Sequence, residues 1–270
     1  MPSPRFFVDL PLAAGTTLSL PAETVRHLHV LRLREGDTLT LFNGDGQAYD
    51  ARLDQLEKRA AQASILALQA ASGSAEPPYR IELVQGLASN EKMDWLIEKA
   101  VELGVDTITP VLAQRSVVKL QGERLERRHA HWEALVRAAC EQCGRNVIPR
   151  VRTPQSFERT LAENDDAMGT RAVVREVAGN SAPQHPDSAP TPLRWLLSPR
   201  AATPFSALPT TPPSTTVQLW IGPEGGWSDQ EEAAAREAGI AALSLGPRVL
   251  RTETAGIAVL AALAGRWGGW

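Results

Sequence analysis

From residue 79 onward, stretches that read as strands alternate with stretches that read as helices, and this alternation leaves few folds open. RIELVQGLA (80–88) leads into SNEKMDWLIEKAVELG (89–104), then VDTITPVLA (105–113), then a long polar helix from about Gly122 to Cys143. In the first of the helices Met93, Leu96, Ile97, Ala100, Val101 and Leu103 recur at helical spacing, Ser89 or Asn90 can cap the start, and Gly104 ends it. Further strands are expected at RAVVREVA (171–178), RWLLSP (194–199), VQLWI (217–221) and IAALSL (240–245), and Ser228 with Glu231 forms a capping box for the helix that follows. Such a pattern implies βαβ units and a mostly parallel sheet with helices on both faces.

The stretch before it reads differently. RFFVDL, TLTLFN and QAYDARL are short apolar or alternating runs, NGDG (Asn43 to Gly46) is a hairpin signal, and Ala22 to Leu31 suits a short helix. The small residues of 73–78 form the natural linker, so the expected organisation is a small β-barrel over 1–72 and an α/β domain over 79–270.

Two glycine-bearing segments carry most of the functional signal. WIGPEGG (220–226) and LGPRVLRTETA (245–255) each follow a strand-like run and lead into a helix-like one. These are the loops at which open α/β sheets bind ligands. Gly222, Gly225, Gly226 and Gly246 let the backbone turn sharply and press against a ligand, while Pro223 and Pro247 stiffen both loops.

The chain has 270 residues, 43% of them hydrophobic, and a net charge of −3. That is enough for a sizeable core. Neither a charged leader nor an apolar run of the roughly 20 residues needed to cross a bilayer is evident, so a cytoplasmic enzyme is expected. Charge is unevenly spread: Arg115 to Arg152 carries nine Lys/Arg against four Asp/Glu, leaving the remainder at −8. A local excess of this kind suits a phosphate backbone, although a solvated helix face with pairs such as Glu123 and Arg127 reads equally well. Cys140 and Cys143 have no further ligand pair spaced for zinc, and the five histidines show no metal spacing, so no metal is expected. Trp95, Trp132 and Trp195 read as packing residues, leaving Trp227 beside the first glycine loop as the candidate for stacking.

The two glycine loops resemble the cofactor-binding end of the SPOUT methyltransferases, in detail the bacterial family that methylates N3 of a uridine in 16S ribosomal RNA. RHLHVLRLREGD (26–37), EKMDWLIEKAVELGV (91–105), QRSVVK (114–119) and EQCGRNVIP (141–149) follow that family's pattern in order. The stretches 179–192 and 203–216 match none of its motifs. The resemblance implies a C-terminal deep trefoil knot, a PUA-like or OB-like first domain for RNA contact, a homodimer, and S-adenosyl-L-methionine as cofactor. The cofactor would lie among three loops, contributed by Leu197 and Ser198, by Ile221, Gly222, Pro223, Glu224, Gly225 and Gly226, and by Leu245, Gly246, Val249, Leu250, Thr254 and Ala255. Leu197, Leu245, Val249 and Leu250 read either as an apolar slot for adenine or as plain core. The pairing that marks the commoner methyltransferase fold, a glycine-rich loop after the first strand with an acidic residue placed to hold the ribose hydroxyls, is not found in the sequence.

Methylating N3 of uridine requires loss of a weakly acidic proton and stabilisation of charge on O2 and O4. Arg251 is the first candidate for that electrostatic role. Glu253 reads as a base or as a carboxylate holding a loop arginine, with Thr252 or Thr254 as helix cap; a helix N-terminus lowers its pKa and weakens the first reading. Arg145 is expected to hold a phosphate or the base. Arg5, Arg26, His29, Arg32, Arg115, Arg124, Arg127 and Arg128 are the candidates for RNA contact, with 16S rRNA or the small ribosomal subunit as partner. The alternatives are a related enzyme acting on another RNA nucleotide, and a non-catalytic RNA-binding assembly factor.

Overall fold

The computed structural model describes residues 3–70, 75–163 and 193–270. The strand expected at 171–178 and the unmatched stretch 179–192 lie outside the described residues. The chain divides into two compact units, one formed by Met1–Glu76 with Ala134–Ile148 and the other by Pro77–Glu133 with Pro149–Trp270.

In the first unit five strands pair in the order β1-β3-β4-β5-β2. They are β1 (Arg5–Phe7), β2 (Thr17–Ser19), β3 (Thr38–Phe42), β4 (Ala48–Leu56) and β5 (Ala61–Leu68). The turn between β3 and β4 is the expected one: Gly44 and Gly46 take φ of +91° and +92°, and the Asp45 carboxylate accepts from the Gln47 N–H at 2.8 Å. Alternation along β4 turns Ala51 and Leu53 inward, where they meet Phe6, Leu39, Leu41, Ala63 and Ile65. Helix α1 (Ala22–Val30) adds Val25 and Leu28 to the same core. The hydrogen-bonded path has two ends, β1 and β2.

The second unit holds a sheet whose pairings are all parallel, in the order β12-β10-β11-β6-β7-β8 with β9 also on β7. Its strands are β6 (Ile81–Gly86), β7 (Thr107–Leu112), β8 (Arg150–Val151), β9 (Gln155–Ser156), β10 (Leu193–Leu197), β11 (Val217–Ile221) and β12 (Ala241–Leu243). Every residue of β6 and β11 is buried, which accounts for their near-continuous apolar sequences. Among the described residues, the helices of this unit include α2 (Asn90–Glu102), α3 (Gly122–Cys143), α4 (Asp229–Glu237) and α5 (Thr252–Trp267), and residues 157–163 are helical as well. Residues of α3 after Glu133 belong to the first unit.

The helix ends show which sequence signals operate. At α4 the capping box is complete: Ser228 Oγ accepts from the Glu231 N–H at 3.1 Å, and the Glu231 carboxylate accepts from the Ser228 N–H at 2.8 Å. At α2 the Ser89 side chain caps nothing; its N–H instead donates to Glu224. Gly104 (φ +83°) closes α2 as expected, with Val105 N–H donating back to Ala100 O and Gly104 N–H to Val101 O. Helix α1 ends on the same pair of bonds, Leu33 N–H to Leu28 O and Arg32 N–H to His29 O, both 3.1 Å, but its left-handed residue is Arg32 at φ +57°.

Candidate cofactor site

The sheet order places the ends of β10 and β11, with the loop after β12, around one cavity of about 310 Å³. Leu197 and Ser198 come from β10 and its loop, Ile221, Gly222, Pro223, Gly225 and Gly226 from the first glycine loop, and Leu245, Gly246, Val249, Leu250 and Ala255 from the second. Of the fourteen residues expected to meet a cofactor, only Glu224 and Thr254 do not line it. Glu224 turns to the start of α2, where its carboxylate accepts from the Ser89 N–H and the Lys92 ammonium, each at 3.0 Å. Burial works against ionisation there, but the Ser89 N–H, its own N–H and Lys92 together outweigh it and hold the carboxyl below its ordinary pKa, so it is a weak base. Thr254 is exposed on α5.

The glycines are required by their surroundings. A Cβ on Gly222 would lie 3.0 Å from Gly226 C and Trp227 N, and one on Gly225 would lie 2.8 Å from Arg115 Cβ. A side chain at 222 would therefore strike the loop's own backbone instead of simply filling the ligand's space. Gly226 and Gly246 have open space but take φ of +68° and +111°, where a side chain is strained.

Several lining residues were not foreseen. Glu232, from the first turn of α4, faces the cavity with Ser198 Oγ at 3.1 Å and Arg200 at 3.0 Å. Arg200 also meets Asp229 at 3.1 Å, and its hydrogen bonds to Glu232 and Asp229 raise its pKa. Signal for Glu232 existed in its place four residues after the cap Ser228, but nothing local indicated where that helix points. Arg115 was expected on an RNA surface. It is exposed and also lines the cavity, donating to the Gly225 and Trp227 carbonyls at 3.3 and 3.0 Å. With Arg200 and Arg248, three cations line the cavity. Trp227 is 3% exposed and packs on Phe157 and Trp220 with ring centroids at 5.4 and 6.4 Å, so it forms wall and not a free stacking platform.

The expected catalytic residues are less gathered. Arg251 is exposed at the N-cap of α5, next to lining residues but not among them. Neither Thr252 nor Thr254 caps that helix: no side chain does, and the Thr252 hydroxyl goes to Gly222 O at 2.5 Å. Glu253 is half-buried and forms no ion pair among the described residues, so it does not hold a loop arginine. Arg145 is 4% exposed in the first unit, where its Nε and an Nη donate to Glu76 Oε2 at 3.0 and 2.8 Å. A guanidinium held in that way is part of the fold and is not offered to a base.

The RNA candidates also separate. Arg26, His29, Arg32, Arg124 and Arg127 are exposed. Arg5 is tied to Asn146 Oδ1 at 2.6 Å and lies 4.9 Å over the Phe42 ring. Arg128 is held by Asp94 at 2.9 Å and Asn90 O at 2.8 Å, while Arg127 reaches Glu123 only at 3.8 Å. Trp132 and Trp195 are packed as expected, but Trp95 is 45% exposed. Cys140 is buried, which pushes its thiol up to about 12 and keeps it protonated. Among the described residues no group of His, Cys, Asp and Glu is arranged to hold a metal, and no helix is long and apolar enough to cross a membrane.

Residues 75–264 match the RNA methyltransferase domain model, and residues 20–66 match the RNA methyltransferase PUA domain. The chain is 30% identical over 264 residues to ribosomal RNA small subunit methyltransferase E of Bacillus subtilis (strain 168), covering 96% of this chain and 95% of that protein. Its structure is similar to a ribosomal RNA small subunit methyltransferase E from Neisseria gonorrhoeae bound to S-adenosyl methionine (TM-score 0.82, 37% identity, 98% of each chain). It is equally similar to a methyltransferase of Legionella pneumophila in complex with the same cofactor (TM-score 0.83, 33% identity, 98% of each chain).

Proposed function

Because this chain belongs to the ribosomal RNA small subunit methyltransferase E family, we propose that it transfers the methyl group of S-adenosylmethionine to N3 of a uridine in 16S rRNA. The observation that carries the reading is the cavity itself, in which twelve of the fourteen residues expected to meet the cofactor converge. Glycine backbone and apolar side chains make up most of its wall. That donor set suits an adenosine: Leu197, Ile221, Leu245, Val249 and Leu250 offer the apolar slot, and Ser198 with Glu232 offers acceptors for hydroxyl or ammonium groups. The cofactor, when bound, supplies a methyl group already activated by the sulfonium.

The residues of the chain supply orientation and charge. Uridine N3 must lose its proton before or as it attacks, and the resulting charge spreads to O2 and O4. Arg251 is the proposed stabiliser, being exposed at the edge of the second glycine loop with its N-cap backbone fixed; Arg248 and Arg115, which line the cavity, are next. Arg251→Ala is expected to reduce single-turnover rate on the order of a hundredfold, the usual cost of one well-placed electrostatic donor, with smaller effects on binding. A near-normal rate would move the role to Arg248 or Arg115. Glu253→Gln is the contrast: a strong loss of turnover with a flattened pH profile would make Glu253 the base.

RNA contact is assigned to Arg26, His29 and Arg32 of the first unit and to Arg124 and Arg127 of the second, all exposed cations. The working form is read as a cytoplasmic homodimer with the trefoil knot of its family. In support of the dimer, Ile257, Ala258, Ala261 and Ala262 leave a partly exposed apolar side on α5, and Trp95 is exposed on α2. Mass-spectrometric mapping of 16S rRNA from a deletion strain tests the function: loss of one N3-methyluridine is expected, and an unchanged 16S rRNA with another RNA hypomethylated would overturn it.

A further inference from the structure

Beneath the cavity lies a residue that the functional reading leaves without a task. Gln85 is the penultimate residue of β6, completely buried, and is not part of the cavity wall. Its side-chain amide donates to Gly86 O at 2.9 Å and to Thr252 Oγ1 at 2.8 Å, and lies 3.5 Å from Gly222 O. The Thr252 hydroxyl, having accepted from Gln85, donates its own proton to Gly222 O at 2.5 Å. The direction of this relay is fixed, since backbone carbonyls at both ends can only accept.

The relay joins three segments that are remote in sequence: the end of β6, the first glycine loop, and the first residue of α5. They meet closely. A Cβ on Gly86 would lie 2.5 Å from both N and Cδ of Pro223, so the first glycine loop lies directly across the end of β6. Gly222 and Thr252 both line the cavity, one from each glycine loop. With its carbonyl turned to Thr252, and with Pro223 carrying no N–H, the 222–223 peptide has a single orientation relative to the cavity.

Gln85 Oε1, by contrast, is buried without a hydrogen-bond partner. A buried acceptor left unmade is destabilising, so an apolar residue of similar size would serve packing better. What the amide alone supplies is direction: it sets the Thr252 hydroxyl, and through it the spacing of the two loops.

We propose that Gln85 is a positioning residue for methyl transfer, acting through Thr252 to lock the two glycine loops at the separation the cofactor needs. This rests on the cofactor reading given above. Methyl transfer requires in-line alignment of sulfur, methyl and N3, and a misplacement of about 1 Å costs on the order of a hundredfold in rate. The relay holds that alignment without touching the reacting atoms.

The test combines calorimetric affinity for S-adenosylmethionine, single-turnover rate with both substrates saturating, and rRNA affinity, for Gln85→Leu, Thr252→Val, Thr252→Ser and the Leu/Val double variant. Gln85→Leu and Thr252→Val are each expected to weaken cofactor binding about tenfold and to slow turnover tenfold to a hundredfold, with rRNA affinity within about twofold. Thr252→Ser keeps the hydroxyl and is expected to recover most of both losses. The double variant should be no worse than the more affected single one, because the two residues form one relay. Unaltered cofactor affinity and rate in folded Gln85→Leu and Thr252→Val proteins would overturn the proposal, as would losses that multiply in the double variant. If Gln85→Leu does not fold, Thr252→Val against Thr252→Ser decides alone. Failure of the unsubstituted protein to bind the cofactor would strike the functional reading instead.

Discussion

Replacing Arg32 by glycine should stabilise the protein while weakening its hold on RNA. The five helices α1 to α5 end beside a residue at positive φ: Gly104, Gly144, Gly239 and Gly268 serve four of them, with φ between +72° and +89°, and Arg32 at +57° serves α1. For an L-residue this conformation costs roughly 1–2 kcal/mol. Glycine removes that cost but surrenders about 0.5–1 kcal/mol through the freedom of the unfolded chain. The net gain is about 0.5–1 kcal/mol, which for a chain of this size raises Tm by roughly 1–4 °C. Arg32→Ala is the control, since it removes the guanidinium and keeps the strained backbone. If Arg32 meets a phosphate, both variants lose the same RNA affinity, and the slope of log affinity against log salt falls by about 0.7–0.9 in each. Urea or thermal unfolding, paired with binding across a salt series, gives both readings. A glycine variant no more stable than the alanine variant would refute the argument from strain. An unchanged slope would remove Arg32 from the RNA surface and leave its φ without a functional cause.

Two other expectations follow from the same geometry. Converting Arg124 and Arg127 to glutamine should flatten the salt dependence by about 0.7 for each true contact, whereas Arg128→Gln should reduce stability with little change of slope, because Arg128 is held by Asp94 and Asn90; the opposite assignment in a salt titration would invert the roles. Burial holds the Cys140 thiol protonated up to about pH 12, against 9.0 for an ordinary thiol, so the folded state binds more protons than the unfolded one between those values. Stability therefore falls as pH rises through that window. Iodoacetamide at pH 8 should modify the partly exposed Cys143 first, and Cys140 reacting at the rate of a denatured control would show that it is not enclosed.

Where a local signal sets local structure, the sequence was sufficient. VQLWI forms β11 residue for residue, NGDG makes the hairpin turn, and Ser228 with Glu231 makes its capping box. β5 was not anticipated because Ala61, Ala63 and Ala67 give little apolar contrast along AQASILAL. Ser89 looked like a cap, yet its N–H is taken by a carboxylate 135 residues away. The lining of the cavity was largely legible because it is made by the glycine loops themselves. Which cations face it was not: Arg115 and Arg145 belong to similar basic stretches, and only long-range contacts place one on the cavity wall and the other in an ion pair with Glu76. The Gln85 relay was likewise hidden, since it joins positions 167 apart.

The long helix α3 carries a consequence for how this architecture can be rearranged. Its first half is counted with one unit and its last turns, with the segment to Ile148, with the other. Residues 1–76 are thus an incomplete inheritance. The Phe7 N–H, Arg5 and Glu76 find their partners Glu141, Asn146 and Arg145 in the returning segment, with Cys140 buried among it. A gene fusion or recombination joined at the linker would therefore transplant a strand-rich module lacking its own cover, and would leave the donor with a helix end whose apolar side has lost its shelter. Moving this first unit into another protein takes two junctions in the coding sequence instead of one.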